Sequence, residues 1–508
     1  MHLNKWYASY LINYKLIFMK STISLLAALL ITVAAFAQEP DSTSNVKTER
    51  IKTGWNFGGL PVVGFNTDLG FQYGIVGNVF NYGDGSRYPG YNQAIKVEAS
   101  TFTQGSSTFQ IFYDDKASLP KGIRLTTDLS YMPSRADHFY GFNGAMAAYN
   151  SDYENFKKFV NNPKAKNPFN EDYISRMFYR QKRNLLRFTF DLQQNIGKTN
   201  FRWLAGVGVY WFQMGSVDIE KLNKNKDEEK LLPDVNTLYD NYVNWGIISD
   251  KEADGGLNTF VKFGAIYDTR DIEANPNKGI WTEVLFNIAP AMFGASDGMS
   301  YGLLAVTHRQ YITLVPNKLT VAYRLGYQGT LFGEVPYYVQ PFMISSFSAA
   351  TNSDGLGGAK SFRGILKTRV VGSHVAYGSL ELRWRFVNFT VGKQNIYLTL
   401  APFVDAGSAI VQMKKDEINY AISQLELPYD DRPDEFKVGY ENANGEFVQQ
   451  GADDFFNTAR KADKLHIGYG AGFYFSMNHN FVVAVNYGRA ADKNDGKDGV
   501  YVTIGFMF

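Results

Sequence analysis

The chain has 508 residues, 45% of them hydrophobic and 16% aromatic, with 47 Gly, 39 Phe, 33 Tyr and no Cys. Without cysteine it has no disulfide framework, thiolate zinc site, lipidated N-terminal Cys or Cys nucleophile. Its 51 basic and 49 acidic residues give a formal net charge of +2, which offers nucleic acid no electrostatic footprint.

The one long apolar run comes first, Ile23 to Ala37, behind Met19 and Lys20 and ending in Ala35-Phe36-Ala37. This is the pattern of a secretory signal cleaved before Gln38, and it is shorter than the roughly 20 residues a spanning helix needs. Met19-Lys20-Ser21 makes a conventional charged start, so Met19 is the expected initiator and 1–37 the expected signal segment. That segment holds three lysines and no acid, so processing leaves 48 basic and 49 acidic residues. Residues 38–53, Glu39-Pro40-Asp41-Ser42-Thr43-Ser44 among them, are almost all polar. They read as a disordered lead-in with no room for a folded periplasmic domain.

From Gly54 to Phe508 the chain alternates with period 2 in segments of about 10–13 residues bounded by Gly, Asn, Asp and Pro, the signature of a membrane β-barrel. Sixteen candidate strands result, near 54–66, 69–81, 92–103, 106–116, 122–132, 183–196, 200–214, 257–269, 279–292, 300–314, 318–333, 373–389, 395–411, 464–477, 480–489 and 498–508. In the twelfth, Leu380, Leu382, Trp384 and Phe386 take one face and Ser379, Glu381, Arg383 and Arg385 the other. In the last, Val500, Val502, Ile504, Phe506 and Phe508 are expected to face outward, with Phe506 and Phe508 as a C-terminal assembly signal. The long stretches 133–182, 215–256, 334–372 and 412–463 all follow odd strands, and the tight turns at 197–199, 315–317, 390–394 and 478–479 all follow even ones. That parity is expected of external loops and periplasmic turns. Only the connection 82–91 is long on the short side. A soluble sandwich or propeller would also alternate, but would not sort its loops this way. The expected fold is therefore all-β, a 16-stranded antiparallel transmembrane barrel, closed because backbone polar groups in hydrocarbon must all be paired.

Three places go beyond generic pattern. Tyr267-Asp268-Thr269-Arg270-Asp271 is followed by Pro276-Asn277-Lys278-Gly279, residues that favour a fixed reversal; taken alone, a plain periplasmic turn is the better explanation of them. Gly357-Gly358-Ala359-Lys360-Ser361-Phe362-Arg363-Gly364-Ile365 lies in the long stretch before the twelfth strand, with Arg363 offering a planar fork to a carboxylate, or simply standing exposed on a loop. Glu381, and Asp405 within Phe403-Val404-Asp405-Ala406-Gly407, both fall on the lumenal face of adjacent strands.

In this order and near these spacings, the Tyr-Asp-Thr-Arg-Asp turn, the Phe-Arg-Gly loop, the Glu-Leu-Arg strand and the Phe-x-Asp-x-Gly strand resemble the BamA/TamA superfamily, whose barrel is the bacterial surface antigen domain. The resemblance covers 257–508 by motif and 54–256 by strand pattern. It implies an outer-membrane location, a long external loop folded into the lumen, and a weak seam between first and last strands. By resemblance Phe362, Arg363 and Gly364 form the loop tip, Glu381 and Asp405 are its lumenal anchors, and Asp268, Arg270, Asp271, Pro276 and Gly279 make the periplasmic turn motif. The chain departs from the family in lacking POTRA domains and in carrying Ile365 where an aromatic is common. Outer-membrane lipid and a periplasmic partner or client protein are the expected partners, with no cofactor, metal or catalytic residue. Three functions follow: assisting protein or lipid insertion or translocation, a passive pore or structural barrel, and an outer-membrane hydrolase. Against the last, there is no Gly-x-Ser-x-Gly elbow, and His466 is the one histidine placed on a lumenal face.

Overall fold

A computed structural model describes residues 51–508 apart from 89, 151–176, 228–230, 233, 274, 292–298, 347–354, 392–393, 442–446, 478–480, 497 and 505–506. The expected signal segment 1–37 and residues 38–50 of the lead-in lie outside the described residues. Eighteen strands are present: β1 (Trp55–Asn66), β2 (Gly70–Asn81), β3 (Gln93–Phe102), β4 (Ser107–Asp115), β5 (Arg124–His138), β6 (Arg180–Asn195), β7 (Phe201–Gly215), β8 (Gly255–Asp268), β9 (Gly279–Ala289), β10 (Tyr301–Val315), β11 (Leu319–Gly333), β12 (His374–Val391), β13 (Gln394–Val411), β14 (Gly439–Glu441), β15 (Phe447–Gln449), β16 (His466–Met477), β17 (Phe481–Ala490) and β18 (Asp498–Ile504). All but β14 and β15 close into one antiparallel meander barrel of sixteen strands.

The period-2 pattern sets the faces. On β12, Leu380, Leu382 and Trp384 are exposed, while Ser379, Glu381 and Arg383 are buried. Apolar side chains turned to lipid and polar ones turned to the lumen are what a hydrocarbon surround selects. The expected strands all appear, with ends displaced by a few residues. The largest changes are β5, which continues to His138 instead of stopping at 132, and β18, which ends at Ile504. The long connection 82–91 is accommodated by hydrogen bonds to its neighbours: Tyr82 N–H donates to Gly54 O at 2.8 Å and Arg87 Nη1 to Lys116 O at 3.0 Å.

The loops following odd strands are more ordered than irregular stretches. They carry helices at Ile219–Asn223, Leu238–Asn244, Asp250–Ala253, Lys415–Leu425 and Ala452–Phe455, and the β14–β15 hairpin. Thr237 and Asp240 start the second of these with reciprocal side-chain to backbone bonds, satisfying donors that a helix start leaves open. Phe139, Phe142, Tyr242, Trp245, Tyr337, Phe455 and Phe456 bury one another there, many in edge-on pairs such as Phe139–Tyr242 at 5.4 Å. These side chains form a packed dome over the external mouth, since they come from loops of one end only.

The barrel is weakest where its ends meet. The β1–β2 ladder is registered without a break from Trp55–Asn81 to Asn66–Gly70. The β1–β18 ladder is registered only at Asn66–Tyr501. Beside it, Val500 N–H donates to Thr67 Oγ1 at 2.8 Å and Thr67 N–H to Val500 O at 3.2 Å. Among the described residues, β1 from Trp55 to Phe65 thus has no registered partner on its β18 side.

Candidate functional site

Arg363 is fully buried inside the barrel. Its Nε and Nη2 donate to Asp405 Oδ2 and Oδ1, both at 2.9 Å, and its own backbone N–H donates to Asp405 Oδ2 at 3.0 Å. Nη1 donates to Glu381 Oε1 at 2.6 Å and to Asn486 Oδ1 at 3.3 Å. The guanidinium lies 3.4 Å from the centroid of Phe403. Three nitrogens in a fixed plane thus meet acceptors from β12, β13 and β17, a geometry lysine could not satisfy. Glu381 is shared, because Arg383 Nε donates to its Oε2 at 2.8 Å.

The rest of the tip is held by backbone and packing. Ser361 Oγ accepts from Gly357 N–H at 2.8 Å and donates to Gly355 and Gly357 carbonyls, which folds the glycine-rich turn on itself. Phe362 is fully buried with Leu356, Ile365 and Val370; Ile365 fills this apolar nest. Gly364 has φ +93 and donates its N–H to Tyr501 Oη at 3.1 Å. The resemblance therefore named residues that the structure brings together: Arg363, Glu381 and Asp405 meet, with Phe362 and Gly364 beside them. Asn486, Tyr474 and Tyr501 were not singled out. Their inward face follows from alternation, but nothing local indicates that a loop would reach them.

A second buried cluster ties this segment to the outer rim. His466 sits between two carboxylates, Nε2 at 2.9 Å from Asp463 Oδ1 and Nδ1 at 2.9 Å from Asp495 Oδ1. Asp463 also accepts from Ala145 N–H at 2.7 Å and Ala409 N–H at 2.8 Å. Arg369 donates to the carbonyls of Gly144, Ala147 and Asn494 at 2.8, 3.1 and 3.2 Å. Four external connections are thereby clasped together. Burial pushes the Asp463 and Asp495 carboxyls up, but His466, together with the Ala145 and Ala409 N–H groups on Asp463 and Lys464 on Asp495, outweighs it and holds both below the ordinary value of 3.8. Because the folded values are depressed, this stabilisation is present above the ordinary value and is lost as pH falls through the folded ones. Limited proteolysis is expected to show the dome intact at neutral pH and opening only below pH 3.8; opening already near pH 6 (roughly the ordinary His range) would contradict this order.

The turn motif builds its own reversal. Asp268 accepts from Arg202 Nη2 at 2.5 Å and from Arg270 Nε and Nη2, both at 2.9 Å. Asp271 Oδ1 accepts from Asn277 N–H at 3.0 Å. Pro276 is buried, and Gly279 has φ +107. Every one of these polar contacts is internal to the turn or its neighbouring strands.

The expected outward position of Phe508 is corrected. Phe508 lies inward, buried against Tyr311 and Ala322. Its ring lies 5.2 and 5.3 Å from the guanidinium groups of Arg324 and Arg383, and its main-chain oxygen accepts from Arg383 Nη2 at 2.9 Å. Contact between the aromatic face and two lumenal cations favours this inward position. Phe506 lies outside the described residues.

Compared with known proteins, the chain matches the model of the Omp85 superfamily domain over residues 88–508. No curated protein sequence matches it. Similar solved structures include BamA from Haemophilus ducreyi lacking POTRA domains 1–3, at 14% identity and TM-score 0.49, covering 89% of this chain and 70% of that one. CdiB from Escherichia coli is similar at 11% identity and TM-score 0.46, covering 90% of this chain and 63% of that one. For CdiB from Acinetobacter baumannii the values are 12% and 0.41, with 90% and 60% covered. The assignment rests on the family match, which spans the barrel from β3 to β18 and includes the loop tip, its carboxylates and the seam strand: this chain belongs to the Omp85 superfamily and is an outer-membrane β-barrel of that type.

Proposed function

We propose that the barrel assists insertion or translocation of protein or lipid at the outer membrane, using the seam between β1 and β18 and working with a periplasmic partner or client. The observation that carries this reading is the short ladder at that seam, registered only at Asn66–Tyr501. Unpaired strand edges are costly in hydrocarbon and are templates for an added strand. A client strand or a locally thinned bilayer would relieve the edge of β1. Arg363 is proposed to keep the long loop in the lumen, so that Gly364 braces Tyr501, the residue at the seam. Phe506 and Phe508 remain the proposed assembly signal, read before Phe508 turns inward.

A passive pore fits less well, because the packed dome and the lumenal loop fill the route a solute would take. Hydrolysis has less support still, since the carboxylates of the site are saturated by arginine. The reading is tested by a cysteine pair, Thr67→Cys with Val500→Cys, that closes the seam on oxidation. Oxidised cells are expected to lose outer-membrane protein or surface lipid relative to reduced ones, and dithiothreitol should restore it. Normal outer-membrane composition with the seam fully crosslinked would favour a structural barrel.

A further inference from the structure

The strand-to-strand turns that follow even strands all lie at one rim. Each of the five described ones carries an exposed cation: Arg87 between β2 and β3, Lys121 between β4 and β5, Lys198 between β6 and β7, Lys278 between β8 and β9, and Lys318 between β10 and β11. At the opposite rim the turns 67–69 and 103–106 carry no basic residue, and the short connection between β17 and β18 carries Lys493 beside Asp492 and Asp495.

The carboxylates of the cationic rim are already engaged. Glu273 pairs with Lys116 at 3.0 Å and Arg124 at 3.1 Å. Asp271 accepts backbone N–H groups of its own turn, as does Asp84 from Ser86. Asp115 accepts from Ala117 and Ser118 N–H. Arg87 donates to the Lys116 carbonyl at 3.0 Å. Among the described residues, Lys121, Lys198, Lys278 and Lys318 have no acidic partner.

Next to the cations the wall is apolar and exposed. Ile196 and Phe201 flank Lys198, and Leu314 and Val315 flank Lys318. An ammonium on a flexible stem beside such a belt sits at headgroup depth.

We propose that this rim binds the anionic headgroups of phospholipids in the leaflet that surrounds it. The distribution selects lipid over protein. The cations run around the wall across ten consecutive strands, β2 to β11, one per turn. A lipid leaflet meets all of that arc at once, whereas a globular acidic partner would cover one sector. The inference uses only the barrel and its place in the outer membrane, so it stands or falls separately from the seam.

Native mass spectrometry of the full-length protein in detergent, titrated with phosphatidylglycerol or phosphatidylethanolamine, tests it. Phosphatidylglycerol should bind preferentially. Basic residues near an anionic surface typically contribute enough for about a fivefold change each, so the K121Q/K198Q/K278Q/K318Q variant should lose nearly all of that preference. The single variants K198Q and K318Q should each lose part of it, and they decide the matter if the quadruple variant fails to show heat-modifiable mobility. Equal binding of the two lipids by the wild type would overturn the proposal, as would an unchanged preference in the variants. So would absence of lipid preference together with an acidic periplasmic protein retained by the wild type and lost by the variants.

Discussion

Arg363→Ala should release the tip of the 334–373 segment from the barrel wall and is expected to be the most disruptive single change in the lumen. Among the described residues, Asp405 is hydrogen-bonded to no cation but Arg363, so the variant leaves that carboxylate buried without its countercharge. Breaking a buried pair from one side typically costs about 3–5 kcal/mol. Asp405→Ala should cost less, because Arg363 keeps Glu381 and Asn486. Glu381→Gln should be milder on the loop than Asp405→Ala, since Asp405 supplies the bidentate face and the backbone acceptor. Arg363→Lys should fail to rescue, because one ammonium cannot serve both carboxylates and Asn486. Trypsin access to Lys360 and Lys367, heat-modifiable mobility and urea unfolding report the changes. The Arg363→Ala/Asp405→Ala double variant should cost less than the two singles added. Strict additivity would mean that the two groups do not hold each other, and the loop would need another explanation.

Gly488→Ala should release the same tip without removing any charge. A Cβ at Gly488 would lie 2.7 Å from the Arg363 carbonyl carbon and 2.8 Å from the Gly364 nitrogen, both backbone atoms that cannot swing aside. From the other side, a Cβ at Gly364 would stand 2.5 Å from Arg489 N, and the residue's φ of +93 is one that L side chains rarely adopt. Overpacking of this kind costs about 1–3 kcal/mol, and the backbone conformation adds about 1–3 more at Gly364. Both variants are therefore expected to expose the loop to protease, Gly364→Ala more than Gly488→Ala. Added to Arg363→Ala, Gly488→Ala should change little, because the interface it spoils is already lost. Wild-type protease protection in Gly488→Ala would show that the tip does not rest on β17.

Alternation along β12 and β13 makes the inward positions of Glu381 and Asp405 legible without a structure, since a strand in lipid must turn apolar groups out and polar ones in. Loop lengths in the same way make the rim assignment legible. The meeting of Arg363 with those acids was legible only through resemblance, because period 2 names a face and says nothing about which distant segment reaches it. Gly364 and Tyr501 are 137 residues apart, and His466 is clasped by Asp495 from a different connection.

The amino-acid sequence by itself determined the class of this protein: sixteen membrane strands, their faces, and the end at which the long loops gather. Each of these depends on local periodicity and turn chemistry, which act over a few residues. Only the tertiary structure decided that the long loops pack into an aromatic dome, that Arg363 chooses Asp405 and Glu381 among the buried acids, and that Phe508 lies inward. Those outcomes are set by desolvation and packing among groups far apart in the chain, where each partner's gain depends on all the others being in place.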